Sequence, residues 1–347
     1  MKILFYVSKA YSIPIVEPLL RECNRQSIEF ALLVSQKVRR NLPDYWEELE
    51  IFTYLAEAQA YAADFVLCPG NFVDWRLPGI KVEIFHGLGV EKASHYKIRH
   101  FFDLYLTSGP YVTERFQKLA NQHKYFLVRE TGWPKVDHII NYPSQNIREK
   151  LKLPNDKNIV LFAPTHSSKM QSASALLPII PEVIGPDELW LVKFHELMKP
   201  ELKANFSAQH PAIKIIENAD ITPYLHAADL LISDTSSVIY EFMILDKPII
   251  TFRTEARPEK GIDIKQPTEL AKAIQRCWEN PREYAEQRQQ HLQEINPYLD
   301  GKISQNILAT LHDVETNNLL PQHPKPLNLF RKAQILYHQK FKQGYMR

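Results

Sequence analysis

Short apolar runs alternate with helix-like segments along most of the chain, and this alternation limits the folds available to it. The apolar runs of the first half lie at 2–7, 28–34, 64–70, 82–87, 104–109 and 125–132. Those of the second half lie at 158–166, 189–196, 213–218, 230–235 and 248–252. Helix-like spacing between these runs predicts helices, among them 46–62 and 173–184. Because strands that are apolar throughout must be covered on both faces, the pattern predicts parallel sheets flanked by helices, an α/β fold. Such sheets bind ligands beyond the carboxyl ends of their strands.

The length of the chain predicts two domains. A chain of 347 residues is long for a single hydrophobic core and suits two doubly wound, Rossmann-like domains. Residues 141–157 are polar and contain prolines, which predicts a linker. We therefore expect a first domain at 1–140, a second at 158–315 and a separate basic segment at 316–347.

Composition excludes several classes of function. The formal net charge of +2 does not indicate a dedicated nucleic-acid binder. The three cysteines are far apart and predict neither a disulfide framework nor a zinc site, which suits a reducing, cytoplasmic setting. No apolar run reaches the roughly 18 residues of a transmembrane helix. No GxGxxG or P-loop motif follows a strand, so dinucleotide and P-loop folds are disfavoured.

Four polar residues interrupt one of the most apolar stretches, LLISDTSSVIYEF. Asp234, Thr235, Ser236 and Ser237 stand where a buried strand passes into a helix. Free N–H groups at a helix start attract anions, and neighbouring hydroxyls add further donors, so a phosphate site is one interpretation. The alternative is an ordinary helix N-cap, although a single Ser or Thr suffices for that.

A histidine follows another strand directly, in the segment VEIFHGLGVEKASHYK. His86 precedes Gly87 and Gly89, which allow the backbone to approach a ligand closely. An imidazole at this position can act as a general base on a hydroxyl nucleophile. A purely structural histidine is the alternative. His95 and Lys97 lie nearby and are weaker candidates.

Other polar residues at strand ends extend the candidate site. Lys193 and His195 follow one strand, and strand alternation points both to the same face, as a diphosphate would require. Thr165 and His166 follow another strand in VLFAPTH. Glu241 lies one turn beyond the Ser/Thr cluster, where its carboxylate suits a ribose diol. The alternatives are solvated charges at the sheet edge and, for Glu241, a solvent-facing helix residue.

The order of these motifs resembles a known family. FHGLG, FDLYLTSGPYVTERF, TGWPKVD, VLFAPTH, KFHE and AADLLISDTSSVIYEFMILDKPIITF occur in the order typical of the CDP-glycerol glycerophosphotransferases, which include teichoic acid primases and polymerases. The resemblance implies a GT-B fold, in which two Rossmann-like domains face a central cleft. It implies an amino-terminal acceptor domain and a carboxyl-terminal nucleotide-donor domain. It also implies transfer of a polyol phosphate from a CDP-activated donor to an acceptor hydroxyl, with release of CMP.

The resemblance also suggests roles for individual residues. His86 matches the catalytic His-Gly position, and His195 matches a histidine that meets the phosphates. Thr235, Ser236 and Ser237 match the block that holds the diphosphate. Phosphoryl transfer needs placement and charge stabilisation more than covalent catalysis. We therefore expect protein cations and N–H groups to suffice, with no metal and no cofactor besides the CDP-activated donor, which is a substrate.

The carboxyl-terminal stretch LNLFRKAQILYHQKFKQGYMR mixes apolar and basic residues. As a helix it would carry an apolar stripe and a cationic face, as helices at membrane surfaces do. Residues 325–347 are therefore predicted either to touch the inner face of the cell membrane or to pack back on the first domain. A glycan or lipid-linked acceptor would suit the membrane alternative.

Two other functions remain open at this point. A GT-B glycosyltransferase or UDP-sugar 2-epimerase would share the fold and the use of Glu241 at the ribose. A non-catalytic nucleotide-sugar-binding protein of surface-polysaccharide assembly would share the anion site without turnover. Ligand preference between cytidine and uridine nucleotides separates these possibilities.

Overall fold

The computed structural model describes residues 1–40, 42–167, 170–195, 198, 200–206, 210–254 and 256–341. Within them the chain forms two compact units. Unit 1 consists of Met1–Ile140 together with the described chain from Glu294 onward, and unit 2 consists of Asn141–Gln293.

The strands follow the predicted alternation closely. Unit 1 contains β1 (Lys2–Val7), β2 (Glu29–Val34), β3 (Ile51–Phe52), β4 (Phe65–Cys68), β5 (Ile80–Glu83), β6 (Leu104–Thr107) and β7 (Leu127–Glu130). Unit 2 contains β8 (Asn158–Phe162), β9 (Glu188–Val192), β10 (Ile213–Ile215), β11 (Leu230–Ser233), β12 (Ile249–Phe252) and β13 (Ile262–Ile264).

Helices connect these strands. The first part of the chain contains α1 (Ile13–Arg25), α2 (Gln36–Arg39), α3 (Leu55–Tyr61), α4 (Pro110–His123) and α5 (Lys135–Ile140). The middle contains α6 (Ile147–Lys150), α7 (Ala173–Leu176), α8 (Ile180–Val183), α9 (Pro200–Asn205), α10 (Thr222–Ala227), α11 (Val238–Met243) and α12 (Leu270–Glu279). The last part contains α13 (Ala285–Ile295), which leads from unit 2 into unit 1, then α14 (Ile303–Thr316) and α15 (Leu329–Phe341).

Unit 1 is built on a parallel sheet with the strand order β3-β2-β1-β4-β5-β6-β7. Its central strands are buried on both faces, as in β1, where residues from Ile3 to Val7 are at most 1% exposed. The order reverses between β1 and β4, since β2 and β3 extend the sheet to one side and β5 to β7 to the other. Doubly wound sheets bind ligands outside such a reversal.

Unit 2 repeats this architecture with the strand order β10-β9-β8-β11-β12-β13, and its strand pairs are parallel. Here the order reverses between β8 and β11. The strands are Val-, Ile- and Leu-rich and fully buried in the centre of the sheet, with Leu230, Leu231 and Ile232 at 0% exposure. The predicted α/β class, two doubly wound parallel sheets, is confirmed.

Two predicted helices differ in the structure, each for a local reason. The predicted helix at 46–62 contains β3, whose two residues pair with Leu32 and Leu33 of β2 and are too few to produce a periodic pattern. The predicted helix at 173–184 is divided into α7 and α8. Pro181 lies in the first turn of α8, where its missing N–H is tolerated, but it cannot continue a preceding helix.

The compact units divide the chain differently from the predicted domains. Part of the predicted linker folds onto unit 2, because Arg148 of α6 donates to both carboxylate oxygens of Asp229 at 2.6 Å. The chain from Glu294 onward, including α14, packs with unit 1 although the sequence assigned residues up to 315 to the second domain. Asp137 of α5 explains this, since its carboxylate accepts the backbone N–H groups of Ile303 and Ser304 at 2.9 and 2.6 Å.

The carboxyl-terminal segment packs on unit 1 through part of its surface. Lys325 forms an ion pair with Asp103 at 2.6 Å, and Ile335 of α15 is 2% exposed. Residues 342–347 of the predicted basic segment lie outside the described residues. None of the described helices has both the length and the apolar character needed to cross a membrane.

Candidate functional site

In unit 2 the loops that follow β8 and β11 meet at the reversal of strand order. Asp234, directly after β11, is fully buried. Its carboxylate accepts the backbone N–H of Thr165 at 3.0 Å and the N–H and hydroxyl of Ser172, both at 2.8 Å. Asp234 thereby fastens the loop between β8 and α7, which carries His166, to the end of β11.

These contacts change the interpretation of Asp234, which the sequence placed among the substrate-binding residues. Burial raises the pKa of the Asp234 carboxyl, while the hydrogen bonds from Ser172 and Thr165 oppose that shift. A carboxylate that protein donors already surround is suited to positioning the loop. Thr165 itself is 2% exposed and contributes its backbone N–H to this arrangement.

The three hydroxyl residues after Asp234 are half-buried and precede α11. Ser237 occupies the N-cap position but makes no side-chain capping hydrogen bond. Its hydroxyl therefore does not serve the ordinary capping role that the sequence left as the alternative. Helix α11 has six residues, so its dipole is small, and any anion binding must rest mainly on Thr235, Ser236, Ser237 and nearby cations.

Cationic and imidazole side chains follow β8 and β9. The rings of His166 and His195 lie side by side, with centroids 4.2 Å apart and planes at 35°. The backbone N–H of Lys193 donates to the carbonyl of Phe162 at 2.9 Å, which continues the β8–β9 pairing past the end of the strand. The structure thus brings His166, Lys193 and His195 to the same edge of the sheet as Asp234.

Glu241 is not the solvent-facing helix residue that the sequence offered as one alternative. It lies inside α11 and is 5% exposed. Its backbone N–H donates to the carbonyl of Ser237 at 3.4 Å, which places it one turn beyond the hydroxyl cluster. A role at the ribose remains a prediction.

In unit 1, His86 follows β5 at a turn with unusual backbone geometry. Phe85 has φ of 57°, in the left-handed region that aromatic residues rarely occupy, at a cost of about 1–3 kcal/mol. Its carbonyl accepts the indole N–H of Trp133 at 3.1 Å, and its ring stacks on His95 with centroids 4.8 Å apart. Packing on both sides of Phe85 therefore holds the turn that presents His86.

The surroundings of His86 favour the neutral imidazole. The residue is exposed, yet desolvation by the surrounding protein and the charges of Lys92 and Arg99 lower its pKa to about 4. The ring lies 6.1 Å, centroid to centroid, from that of Tyr11, and the following Gly87 is buried. A neutral imidazole can accept a proton at pH 7, as a general base must.

His95, a weaker candidate, has a structural position. It is 8% exposed, and burial lowers its pKa to about 3, with His86 as the next contribution. Its ring is packed among Phe85, Tyr96 and Phe116. His95 therefore supports the turn at Phe85.

Sequence reasoning missed Tyr11, Phe85 and Trp133. Tyr11 follows β1, one of the two strands at the reversal in unit 1, so the topology would have indicated it once the strand order was known. Phe85 carries no turn signal, since the left-handed region favours Gly or Asn. Within the part of the chain that the structure describes, no three His, Cys, Asp or Glu side chains are grouped to hold a metal ion.

Comparisons with known proteins agree with the motif order. The model of the CDP-Glycerol:Poly(glycerophosphate) glycerophosphotransferase family matches residues 86–313. A teichoic acid glycerol-phosphate primase of Bacillus spizizenii is 34% identical over 140 residues, which cover 39% of this chain and 36% of that protein. A teichoic acid glycerol-phosphate transferase of Staphylococcus aureus is 22% identical over 239 residues, 60% of each protein. The chain thus spans less than two thirds of the length of either relative.

A solved structure extends the likeness over most of the chain. The wall teichoic acid polymerase TagF superposes with a TM-score of 0.69 at 19% identity, covering 92% of this chain and 90% of that one. At this identity the likeness shows the fold alone, which is α/β of the GT-B class.

Proposed function

The chain belongs to the CDP-glycerol:poly(glycerophosphate) glycerophosphotransferase family, and from this membership we propose its activity. It transfers glycerol phosphate, or a related polyol phosphate, from a CDP-activated donor to a hydroxyl of a glycan or lipid-linked acceptor in cell-surface polymer synthesis. The observation that carries the proposal is the extent of the family match. It begins at His86 and includes the whole hydroxyl and histidine cluster of unit 2.

In this reaction the acceptor oxygen attacks the phosphorus that carries the polyol. A new P–O bond forms to the acceptor, and the bridging P–O bond of the donor breaks, with its electron pair leaving on CMP. His86 removes the proton of the attacking hydroxyl, for which its neutral form is required. The exposed position of His86 allows the proton to pass to water afterwards.

Unit 2 supplies the donor-binding groups in this proposal. His195, Lys193 and His166 stabilise the negative charge on the diphosphate and on the departing CMP. The hydroxyls of Thr235, Ser236 and Ser237 donate hydrogen bonds to phosphate oxygens. Asp234 positions the β8–α7 loop, and Glu241 accepts hydrogen bonds from the ribose.

The proposal is tested by CMP release from CDP-glycerol and CDP-ribitol in the presence of candidate acceptors. We expect turnover with at least one cytidine donor and its loss in a His86→Ala variant. His312→Ala serves as the matched control, because this exposed histidine on α14 lies outside the proposed machinery. Stabilisation against heat by UDP or UDP-GlcNAc, with none by CMP or CDP-glycerol, would contradict the proposal and favour a uridine-nucleotide enzyme. Binding of CDP-glycerol without turnover on any acceptor would favour a non-catalytic protein.

We also propose that the carboxyl-terminal segment contacts an anionic membrane surface. Leu327, Leu329 and Phe330 are 69%, 68% and 81% exposed, and Arg331 and Lys332 follow them directly. Exposed apolar side chains next to basic ones suit the boundary between lipid headgroups and acyl chains. Sedimentation with vesicles containing anionic lipid should fall when Phe330 and Leu329 are replaced by Glu. Unchanged sedimentation would exclude this surface.

A further inference from the structure

A carboxyl group with no role in the proposed reaction is buried three residues before His86. Glu83 is the last residue of β5 and is 4% exposed. In the sheet it stands between Cys68 of β4 and Tyr105 of β6. Burying an acid in this way is costly unless partners compensate, so its contacts call for an explanation.

Glu83 is connected to Arg99 through the amide of Asn71. The amide orientation that satisfies both neighbours donates Nδ2 to Glu83 Oε1 at 2.8 Å and accepts Arg99 Nη2 at 3.2 Å on its oxygen. The thiol of Cys68 bonds to the carbonyls of Gly70 and Phe72, at 3.1 and 2.9 Å, on either side of Asn71. The loop after β4 is therefore held where its amide can bridge the acid and the guanidinium.

Arg99 is fixed on its other side by the loop that follows His86. Its Nη1 donates to the carbonyl of Lys97 at 3.0 Å and its Nη2 to that of Ser94 at 3.5 Å. These contacts give the guanidinium three hydrogen-bond partners. Two are carbonyls of the loop that follows His86, and the third, Asn71, lies outside that loop and is itself hydrogen-bonded to Glu83.

The loop that Arg99 holds also supports the turn that presents His86, because His95, between Ser94 and Lys97, stacks on Phe85. Desolvation is the main cause that lowers the pKa of His86, and the charges of Lys92 and Arg99 add to it. Among the residues that the structure describes, Tyr11 is a further titratable neighbour, and its ring approaches that of His86. Of these groups, Arg99 is tied through Asn71 to a buried acid.

We propose that Glu83 is a positioning residue: acting through Asn71, it fixes the Arg99 guanidinium and with it the loop at Ser94 and Lys97, whose His95 ring stacks on Phe85 next to His86. The catalytic meaning of this arrangement rests on the proposed function, but the arrangement itself can be measured without turnover. Glu83 acts here as a hydrogen-bond acceptor for Asn71, so a neutral amide of the same length should replace it.

The test is the titration of His86 in the whole chain by NMR with 13Cε1-labelled histidine. The protein has 13 histidines, and loss of one resonance in a His86→Gln variant assigns the signal. In Arg99→Gln we expect the midpoint for His86 to rise by roughly one pH unit, the order expected for removing one nearby charge. Glu83→Leu and Asn71→Ala should shift it in the same direction, whereas Glu83→Gln should leave it as in the wild type.

The outcomes separate this inference from the proposed function. An unchanged midpoint in Asn71→Ala and Glu83→Leu overturns the inference, as does a shift in Glu83→Gln as large as that in Glu83→Leu. If Glu83→Leu does not fold, Asn71→Ala decides alone, since Asn71 is only partly buried. If the titrations follow expectation and no donor and acceptor pair releases CMP, the positioning stands and the proposed function fails.

Discussion

Two aspartates bracket β11, and their different burial leads to a quantitative prediction for Asp234. Asp229 precedes the strand and accepts the backbone N–H of Ile159 at 2.8 Å. Asp234 follows it and accepts that of Thr165. Both therefore tie β11 to the chain of β8, at opposite ends of the strands. The Asp229 side chain is 35% exposed, whereas Asp234 is at 0%.

The structure sets the expected size of the effect. Replacing Asp234 by Ala removes the acceptor of three buried donors, namely the N–H of Thr165 and both the N–H and the hydroxyl of Ser172, and also that of the N–H of the half-buried Thr235. Each such loss destabilises by about 1–3 kcal/mol. Burial raises the pKa of Asp234, so removing this charge offsets part of the loss. We expect unit 2 to lose about 3–5 kcal/mol in Asp234→Ala. Asp229→Ala removes the acceptor of the Ile159 N–H and the ion-pair partner of Arg148, but both carboxylate and guanidinium are partly exposed, so water replaces part of what is lost and we expect only about 1–2 kcal/mol.

Hydrogen exchange read by mass spectrometry is the suitable assay, because it reports on unit 2 separately from unit 1. Peptides covering β8 and β11 should exchange faster in Asp234→Ala, by a factor that converts to the predicted free energy, and less so in Asp229→Ala. Peptides from β1 and β4 of unit 1 serve as the internal control. Equal losses for the two variants, or a loss below about 1 kcal/mol for Asp234→Ala, would refute the reasoning that burial of the acceptor decides the cost.

Three further predictions concern unit 1. His86→Ala should lower the transfer rate by about 10²–10⁴-fold without changing thermal stabilisation by CDP-glycerol, and an unchanged rate would exclude His86 as the base. Because the pKa of His86 is lowered to about 4, the wild-type rate should show no acid limb near pH 6.5, and a limb at that pH would show that the pKa of the base is not lowered. Burial raises the pKa of Glu83 from 4.5 to about 8, so the stability it contributes is present below about pH 4.5 and lost as pH rises through about 8. Hydrogen exchange of β5 should then show that the free energy of unfolding of Glu83→Gln, relative to that of the wild type, rises by up to about 4 kcal/mol between pH 5 and 9. A difference that does not depend on pH would contradict this. Gly132→Ala should destabilise unit 1 by about 2–4 kcal/mol in urea unfolding, since Gly132 has φ of 91° and an added Cβ would lie 2.7 Å from Ile303, while Gly70→Ala, with nothing within 4 Å, should be nearly neutral.

The alternation of strands and helices was predictable because it depends on local pattern. Each predicted strand is present in the structure, and the hydroxyl and histidine residues of unit 2 were found at strand ends because parallel strands collect their carboxyl ends at one edge. The two-residue strand β3 was not predictable, because it forms only by pairing with β2 and has no pattern of its own.

The roles within the site were less predictable, because they depend on contacts between distant residues. Asp234 meets Thr165 and Ser172 across 69 and 62 positions of sequence, so its use as an internal acceptor was invisible in the motif. Phe85 adopts a conformation that its residue type disfavours and is held there by Trp133, 48 positions away. The resemblance to a family predicted which residues belong to the site, and the structure shows which of them hold others in place.

The division of the chain into its two units has a consequence for synthesis on the ribosome. Unit 2 is continuous and is complete once Gln293 has emerged, but unit 1 still lacks α14, which packs against α1 and caps on Asp137. Unit 1 therefore lacks the contact between α1 and α14 while unit 2 is made, although α1 can already pack against α5. Closing so long a loop adds entropy cost and delays the last step of folding. Unit 1, whose sheet precedes unit 2 in the chain, is thus completed after it.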